Sequence, residues 1–131
     1  MDEVYEFLKK AETYYIATVE GDQPRVRAFG TINSFNGKLY IQTGRIKNVS
    51  KQIAANPKIE MCALHEDIWL RVTATAVDDP NLDAEISMLD AYPMLAGMYQ
   101  PGDGNNQVLY LQDVTATFST FENPKSKTIT F

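Results

Sequence analysis

The sequence predicts a mainly β protein with flanking helices, built as a small closed antiparallel barrel. Three observations carry this. Runs of β-branched and aromatic residues recur along the chain, tight-turn signals join neighbouring runs, and short amphipathic segments fall between them at positions where they can plug the barrel ends. The 131 residues suffice for one core and hence one domain, residues 1–131.

Val4, Phe7, Leu8 and Ala11 recur at helical spacing, so residues 2–11 form an amphipathic helix with its charges outward. Residues 14–20, YYIATVE, are a strand that ends at the turn cluster Gly21-Asp22-Gln23-Pro24. Residues 25–34 continue as a second strand, with Arg25, Arg27 and Phe29 on one face. Asn36-Gly37 is a hairpin signal, and KLYIQT returns antiparallel and delivers Thr43 to the strand's end.

From Lys47 to Ala55 the period becomes helical, with Val49 and Ile53 on one side and Lys47, Ser50 and Lys51 in a stripe on the other. Asn56-Pro57 stops this helix. Residues 58–65 and 67–79 are two long strands parted at Glu66-Asp67. Asp79-Pro80 then resembles an N-cap followed by a first helical proline, opening a helix that runs up to Pro93. Residues 99–107 hold most of the turn formers and are expected to be a mobile loop covering the site, before final strands at 108–121 and 128–131.

The net charge of −5 and the pI near 4.8 argue against nucleic acid as a partner. No basic segment followed by an apolar run marks a signal peptide, and no run approaches the roughly 20 apolar residues of a membrane span. Cys62 is the single cysteine, which fits a reducing compartment. A cytoplasmic protein with no membrane association is expected.

The junction between the strand ending at Thr43 and the helix after it is crowded with hydroxyl and cationic groups. A helix N-terminus presents unpaired N–H groups and the positive end of its dipole. Thr43, Lys47, Ser50 and Lys51 add donors around one phosphate, and Arg25 and Arg27 add planar contacts to a phosphate or a polar ring edge. The competing explanation is a wet outer helix face, and spacing alone does not decide between them. The other candidates are weaker. His65 is a lone strand-end histidine, Cys62 a small strand residue, and one His with one Cys falls short of a zinc site.

The runs PRVRAFGTI, NGKLYIQTGRIKNVSKQIAANPKIEMC and WLRVTATAV resemble the FMN-binding split barrel family of pyridoxamine 5′-phosphate oxidase-like proteins, especially its short members related to nitroimidazole-resistance proteins. The resemblance implies a six-stranded antiparallel split β-barrel and a homodimer with FMN at the subunit interface. It implies that Thr43, Lys47, Ser50 and Lys51 grip the FMN phosphate. Arg27, Arg25 and the backbone from Ala28 to Gly30 then run along the flavin, and Trp69 approaches from a second subunit.

The function implied is a flavoprotein oxidoreductase passing electrons to a small organic acceptor such as a nitroaromatic, with no required protein acid or base. An F420- or haem-binding split barrel and a non-catalytic flavin-binding or sensing module are the alternatives. Pyridoxamine phosphate oxidase activity itself is not expected. Lys47-Asn48-Val49 replaces the basic Ser-Arg-Lys run of those enzymes, and after Arg71 the chain has no arginine, only Lys125 and Lys127.

Overall fold

The computed structural model describes residues 1–124 and 127–131, so Lys125 lies outside the described residues. The element order is α1 (Asp2–Ala11), β1 (Tyr14–Glu20), β2 (Gln23–Phe29), β3 (Asn33–Phe35), β4 (Lys38–Gly44), α2 (Asn48–Ala55), β5 (Lys58–His65), β6 (Ile68–Asp79), α3 (Leu82–Ala91), a 3-10 helix (Pro93–Gly97), β7 (Asn106–Ser119) and β8 (Lys127–Thr130).

The described strands form one antiparallel eight-stranded sheet in the order β2-β1-β5-β6-β7-β4-β3, with β8 also on β7. β7 is long enough to serve two partners along one side: β4 pairs with its first half, Tyr40 opposite Tyr110, and β8 with its second half, Ala116 opposite Ile129. On its other side β7 pairs with β6, and the register shifts between Thr73 and Thr75. Such an irregularity bends a long strand and lets the sheet curl.

Alternation decides what the curled sheet encloses. Ile16, Leu39, Ile41, Met61, Leu70, Val72, Leu109 and Ala116 point inward into one core, and Val4 and Leu8 of α1 and Val49 and Ile53 of α2 close it. A smaller cluster of Tyr40, Ala84, Met88 and Val108 seats α3 on the opposite face of the sheet. No helix among the described residues is long and apolar enough to cross a membrane.

The barrel stays open along one seam, between β2 and β4. The expected strand 25–34 breaks there, because both the N–H and the C=O of Ile32 pair with the Tyr92 hydroxyl (2.9 and 3.0 Å) and not with a neighbouring strand. Across the gap the Gln42 N–H donates to Thr31 Oγ1 (3.1 Å), and Tyr14, buried and with its phenol pKa raised by that burial, donates to the Thr31 carbonyl (2.6 Å). The break adds the short strand β3, and with β8 the sheet exceeds the expected six strands.

Two further expectations are corrected. Asn81, not Asp79, caps α3: its side chain accepts from the Asp83 N–H (2.9 Å), while Asp79 Oδ1 accepts from Asn81 N–H in the preceding turn. Residues 99–107 are tied down. Asp103 accepts from the N–H groups of Gln100, Asn105 and Asn106, buried Glu85 accepts from Gly102 N–H and the Asn106 side chain, and the Arg45 N–H donates to the Asn105 carbonyl (2.7 Å).

Candidate functional site

β2 and β4 end on either side of the open seam, and α2 begins just beyond β4. A cavity of about 400 Å³ lies in that angle, lined by Arg27 and Ala28 through Thr31 from the β2 side and by Gln42, Thr43, Lys47 and Val49 from the other. Leu95, Met98 and Tyr99 complete it. A shallower cavity of about 490 Å³ shares Arg27, Lys47 and Val49 and extends to Arg25, Glu20, Asn48 and Gln52.

Thr43 is the most informative wall residue. Its side chain is buried and Oγ1 has no hydrogen-bond partner among the described residues. An unpaired buried hydroxyl costs about 1–3 kcal/mol, so such groups mark places where a ligand or water completes the bonding. Lys47 occupies the N-cap of α2 in an extended conformation, no side chain caps the helix, and no acidic residue occupies its first turn. The positive end of the α2 dipole is therefore left uncompensated beside the cavity.

Arg27 is turned inward. It donates to Thr18 Oγ1 (2.7 Å), the Ile16 carbonyl (3.3 Å) and Gln52 Oε1 (2.6 Å), and desolvation followed by the nearby Arg25 charge lowers its pKa. Gln52 is the hub of this wall: Oε1 also accepts from Thr18, and Nε2 reaches Glu20 (3.4 Å). Arg25 sits at the exposed rim and forms an ion pair with Glu20 (2.8 Å), whose pKa falls mainly through that hydrogen bond. Behind the wall, polar side chains bond to one another. Gln42 donates to Asn106 Oδ1 (3.0 Å), and Ser50 donates to Gln107 Oε1 (2.6 Å).

Of the residues singled out from sequence, Arg27, Ala28, Thr43 and Lys47 line one cavity and Arg25 joins Arg27 and Lys47 in the next. Ser50 is buried behind them, bonded to Gln107, and Lys51 is exposed on α2 and lines neither. Trp69 lies elsewhere, on the outer face of β6, opposite Leu64 and against Phe121, in a groove with Glu60, Arg71 and Thr117. His65 packs edge-on against Phe7 and lines neither cavity at the seam. Sequence reasoning passed over Gln42 and Gln107. Glutamines carry no periodic signal, although Gln42 shares the phase of Tyr40 on KLYIQT and stands out as a polar residue on that face.

The family profile of pyridoxamine 5′-phosphate oxidase matches residues 1–119. A NimC/NimA family protein from Clostridium acetobutylicum superposes with a TM-score of 0.95 at 37% identity, over 100% of this chain and 93% of that one. General Stress Protein 26 from Bacillus anthracis str. Sterne gives 0.74 at 15% identity over 98% and 97%. An F420 reductase gives 0.60 at 21% over 87% and 94%. These last two show the fold alone, and no curated protein matches the chain. With its seam-opened antiparallel barrel and its flanking helices, the chain belongs to the pyridoxamine 5′-phosphate oxidase-like family of flavin-binding split barrels, among the relatives of the nitroimidazole-resistance proteins.

Proposed function

We propose that this protein is an FMN-dependent oxidoreductase acting as a homodimer on a small organic acceptor. The observation that carries the cofactor assignment is Thr43 Oγ1, a buried hydroxyl with no partner in the wall of the seam cavity, next to Lys47 and the uncapped start of α2. A phosphate monoester supplies what this corner lacks: acceptor oxygens for the hydroxyl, for the first-turn N–H groups and for the ammonium.

The residues divide the work. Thr43 and Lys47 hold the phosphate, and Ser50, fixed by Gln107, keeps the α2 start in place behind them. Arg27 stays rigid through Thr18 and Gln52 and presents a positive edge to the ring system, while Ala28 and Gly30, exposed and small on either side of the half-buried Phe29, leave backbone open to the ring. Tyr99, Met98 and Leu95 exclude water from the remaining side. Bound there, FMN supplies electron transfer between a reduced nicotinamide or other donor and the acceptor, and the protein supplies orientation, dryness and charge.

A homodimer accounts for the outer face of β2, β1 and β5. Tyr15, Val26 and Leu64 are 53, 68 and 65% exposed there, and Ala28, Tyr15 and Cys62 form one cross-strand row leading towards Arg71 and Trp69. A contiguous apolar patch of this kind is an interaction surface. Packing two such faces buries it, and Trp69 then belongs to the shared interface.

The test is the visible spectrum of purified protein after FMN addition and desalting, repeated for Lys47→Ala and Thr43→Val. Retained flavin bands in the parent, weakened in both variants, are the expected result. A protein that refuses FMN but takes F420 or haem moves the assignment to that group, and one that binds FMN without turning over a nicotinamide donor with a nitroaromatic acceptor is a binding module.

A further inference from the structure

Glu85 is a buried acidic residue on α3, and the contacts assigned to the cofactor make no use of it. Two hydrogen bonds connect it to the seam cavity. Asn106 Nδ2 donates to Glu85 Oε1 (3.2 Å), Gln42 Nε2 donates to Asn106 Oδ1 (3.0 Å), and Gln42 lines the cavity beside Thr43. All three side chains are buried, one each from α3, β7 and β4. The geometry points to Glu85 as a positioning residue: through Asn106 it turns the Gln42 amide so that Oε1 is left for a hydroxyl of the cofactor's ribityl chain. This rests on the FMN assignment for the identity of the ligand, since Thr43, next to Gln42, is the residue placed at the phosphate.

The polarity of the chain of bonds runs one way. A carboxylate accepts and cannot donate. The Gly102 N–H also donates to Glu85 Oε1 (3.2 Å), so this oxygen is an acceptor whichever way the neighbouring amides are turned. Asn106 therefore presents its NH2 group to Glu85 and its carbonyl to Gln42, because the reverse would set two buried acceptors against each other. At Gln42 the same choice is made twice. Asn106 Oδ1 and the Thr43 carbonyl (3.3 Å) both accept from Nε2, which uses both of its hydrogens. Oε1 is what remains, and no donor among the described residues reaches it. A buried network satisfied in this way is rigid, so the amide cannot turn its donors to the ligand instead. An acceptor selects a donor. The phosphate offers only more acceptors, whereas the hydroxyls of the adjoining ribityl chain can donate.

The experiment is a double cycle between residue 85 and the ligand. FMN and the three analogues that each lack one ribityl hydroxyl are titrated by flavin fluorescence into the parent, Glu85→Gln and Glu85→Leu. One analogue should bind the parent about tenfold more weakly than FMN does, the loss of one hydrogen bond. Glu85→Gln keeps an acceptor oxygen for Asn106 and should keep that difference, and Glu85→Leu should abolish it. A parent that does not distinguish the analogues from FMN overturns the proposal, as does a Glu85→Leu protein that weakens FMN and every analogue by the same factor. Asn106→Leu breaks the same chain and takes the place of Glu85→Leu if that variant does not fold. If the protein takes no FMN, the cofactor assignment fails by itself. Hydrogen exchange of the Gln42 side-chain amide, followed by NMR on the cofactor-free protein, then decides the relay alone. Protection in the parent and Glu85→Gln that is lost in Glu85→Leu or Asn106→Leu supports it, and rapid exchange in the parent refutes it.

Discussion

The Tyr99 hydroxyl lies 2.9 Å from where a β-carbon on Gly44 would stand, and Asn105 Oδ1 lies 3.3 Å from the same point. Gly44 ends β4 opposite Asn106, so its backbone is fixed by the ladder, and Tyr99 is buried. The glycine is needed here for close approach. Gly44→Ala should therefore displace Tyr99 from the seam cavity and, on the proposed assignment, weaken FMN binding about tenfold, ~1.4 kcal/mol. Adding Tyr99→Phe, which removes the obstructing oxygen, should restore part of the loss. Unchanged affinity in Gly44→Ala, measured by fluorescence titration, would mean that Tyr99 does not shape the site.

Thr43→Val separates stability from binding. Removing a buried hydroxyl that has no partner among the described residues should leave the cofactor-free protein as stable as before or slightly more so. FMN affinity should fall by about tenfold or more through the missing contact to phosphate. Urea denaturation of the cofactor-free form together with FMN titration checks both halves; a clear loss of stability would show that the hydroxyl has a partner in the protein after all.

Arg27 should resist conservative replacement. Its fork reaches Thr18 with one nitrogen and Gln52 with the other, a geometry a single ammonium cannot reproduce. Arg27→Lys is expected to cost about 1–2 kcal/mol of stability despite keeping the charge. Chemical denaturation gives the value, and a change below about 0.5 kcal/mol would assign those bonds little weight.

The loop before β7 should loosen in acid. The N–H groups of Asn106, Gln100 and Asn105 hold the Asp103 carboxylate below its ordinary value of 3.8. A depressed folded-state pKa means that the stabilising contribution is complete above about pH 5, begins to fade near 3.8 and disappears as pH falls through the folded value. Amide signals of Gln100, Asn105 and Asn106 followed by NMR from pH 6 to 2.5 should shift together in the parent. In Asp103→Asn that acid transition should be missing.

The apolar outer face makes a prediction of its own. Leu64→Glu places a charge in the middle of the proposed dimer contact, and sedimentation should show a monomer where the parent is a dimer. A parent protein that is already monomeric at micromolar concentration would remove the homodimer from the functional proposal.

What could be read from sequence follows from which forces are local. Helix α1 and strands β1 and β5 fall where periodicity placed them, since alternation or a 3.6-residue repeat is written into the residues themselves. The break after Phe29 was invisible because it depends on Tyr92, 60 residues away along the chain, capturing the Ile32 backbone. Asn81 displaced Asp79 as the cap of α3, a shift of two residues within the usual slack of helix ends. For the site, the spacing from Thr43 to Lys47 and the arginine-bearing strand were legible, and the two strands do meet at the seam. The glutamine framework behind them was not, because it is assembled from β4, α2 and β7 by register alone. Lys51 shows the converse: a plausible residue type in a plausible run, placed by the helix outside both cavities.

The open seam also leaves β2 at one end of the strand order and β3 at the other, in addition to the four-residue β8 on the side of β7. Neither of the two ends invites another chain to add a strand. Pro24 puts a residue without an N–H into β2, Arg25 beside it is charged and hydrated, and β3 is only three residues long. Combined with the proposed pairing face, these blunted ends favour a closed pair over open-ended growth into fibres.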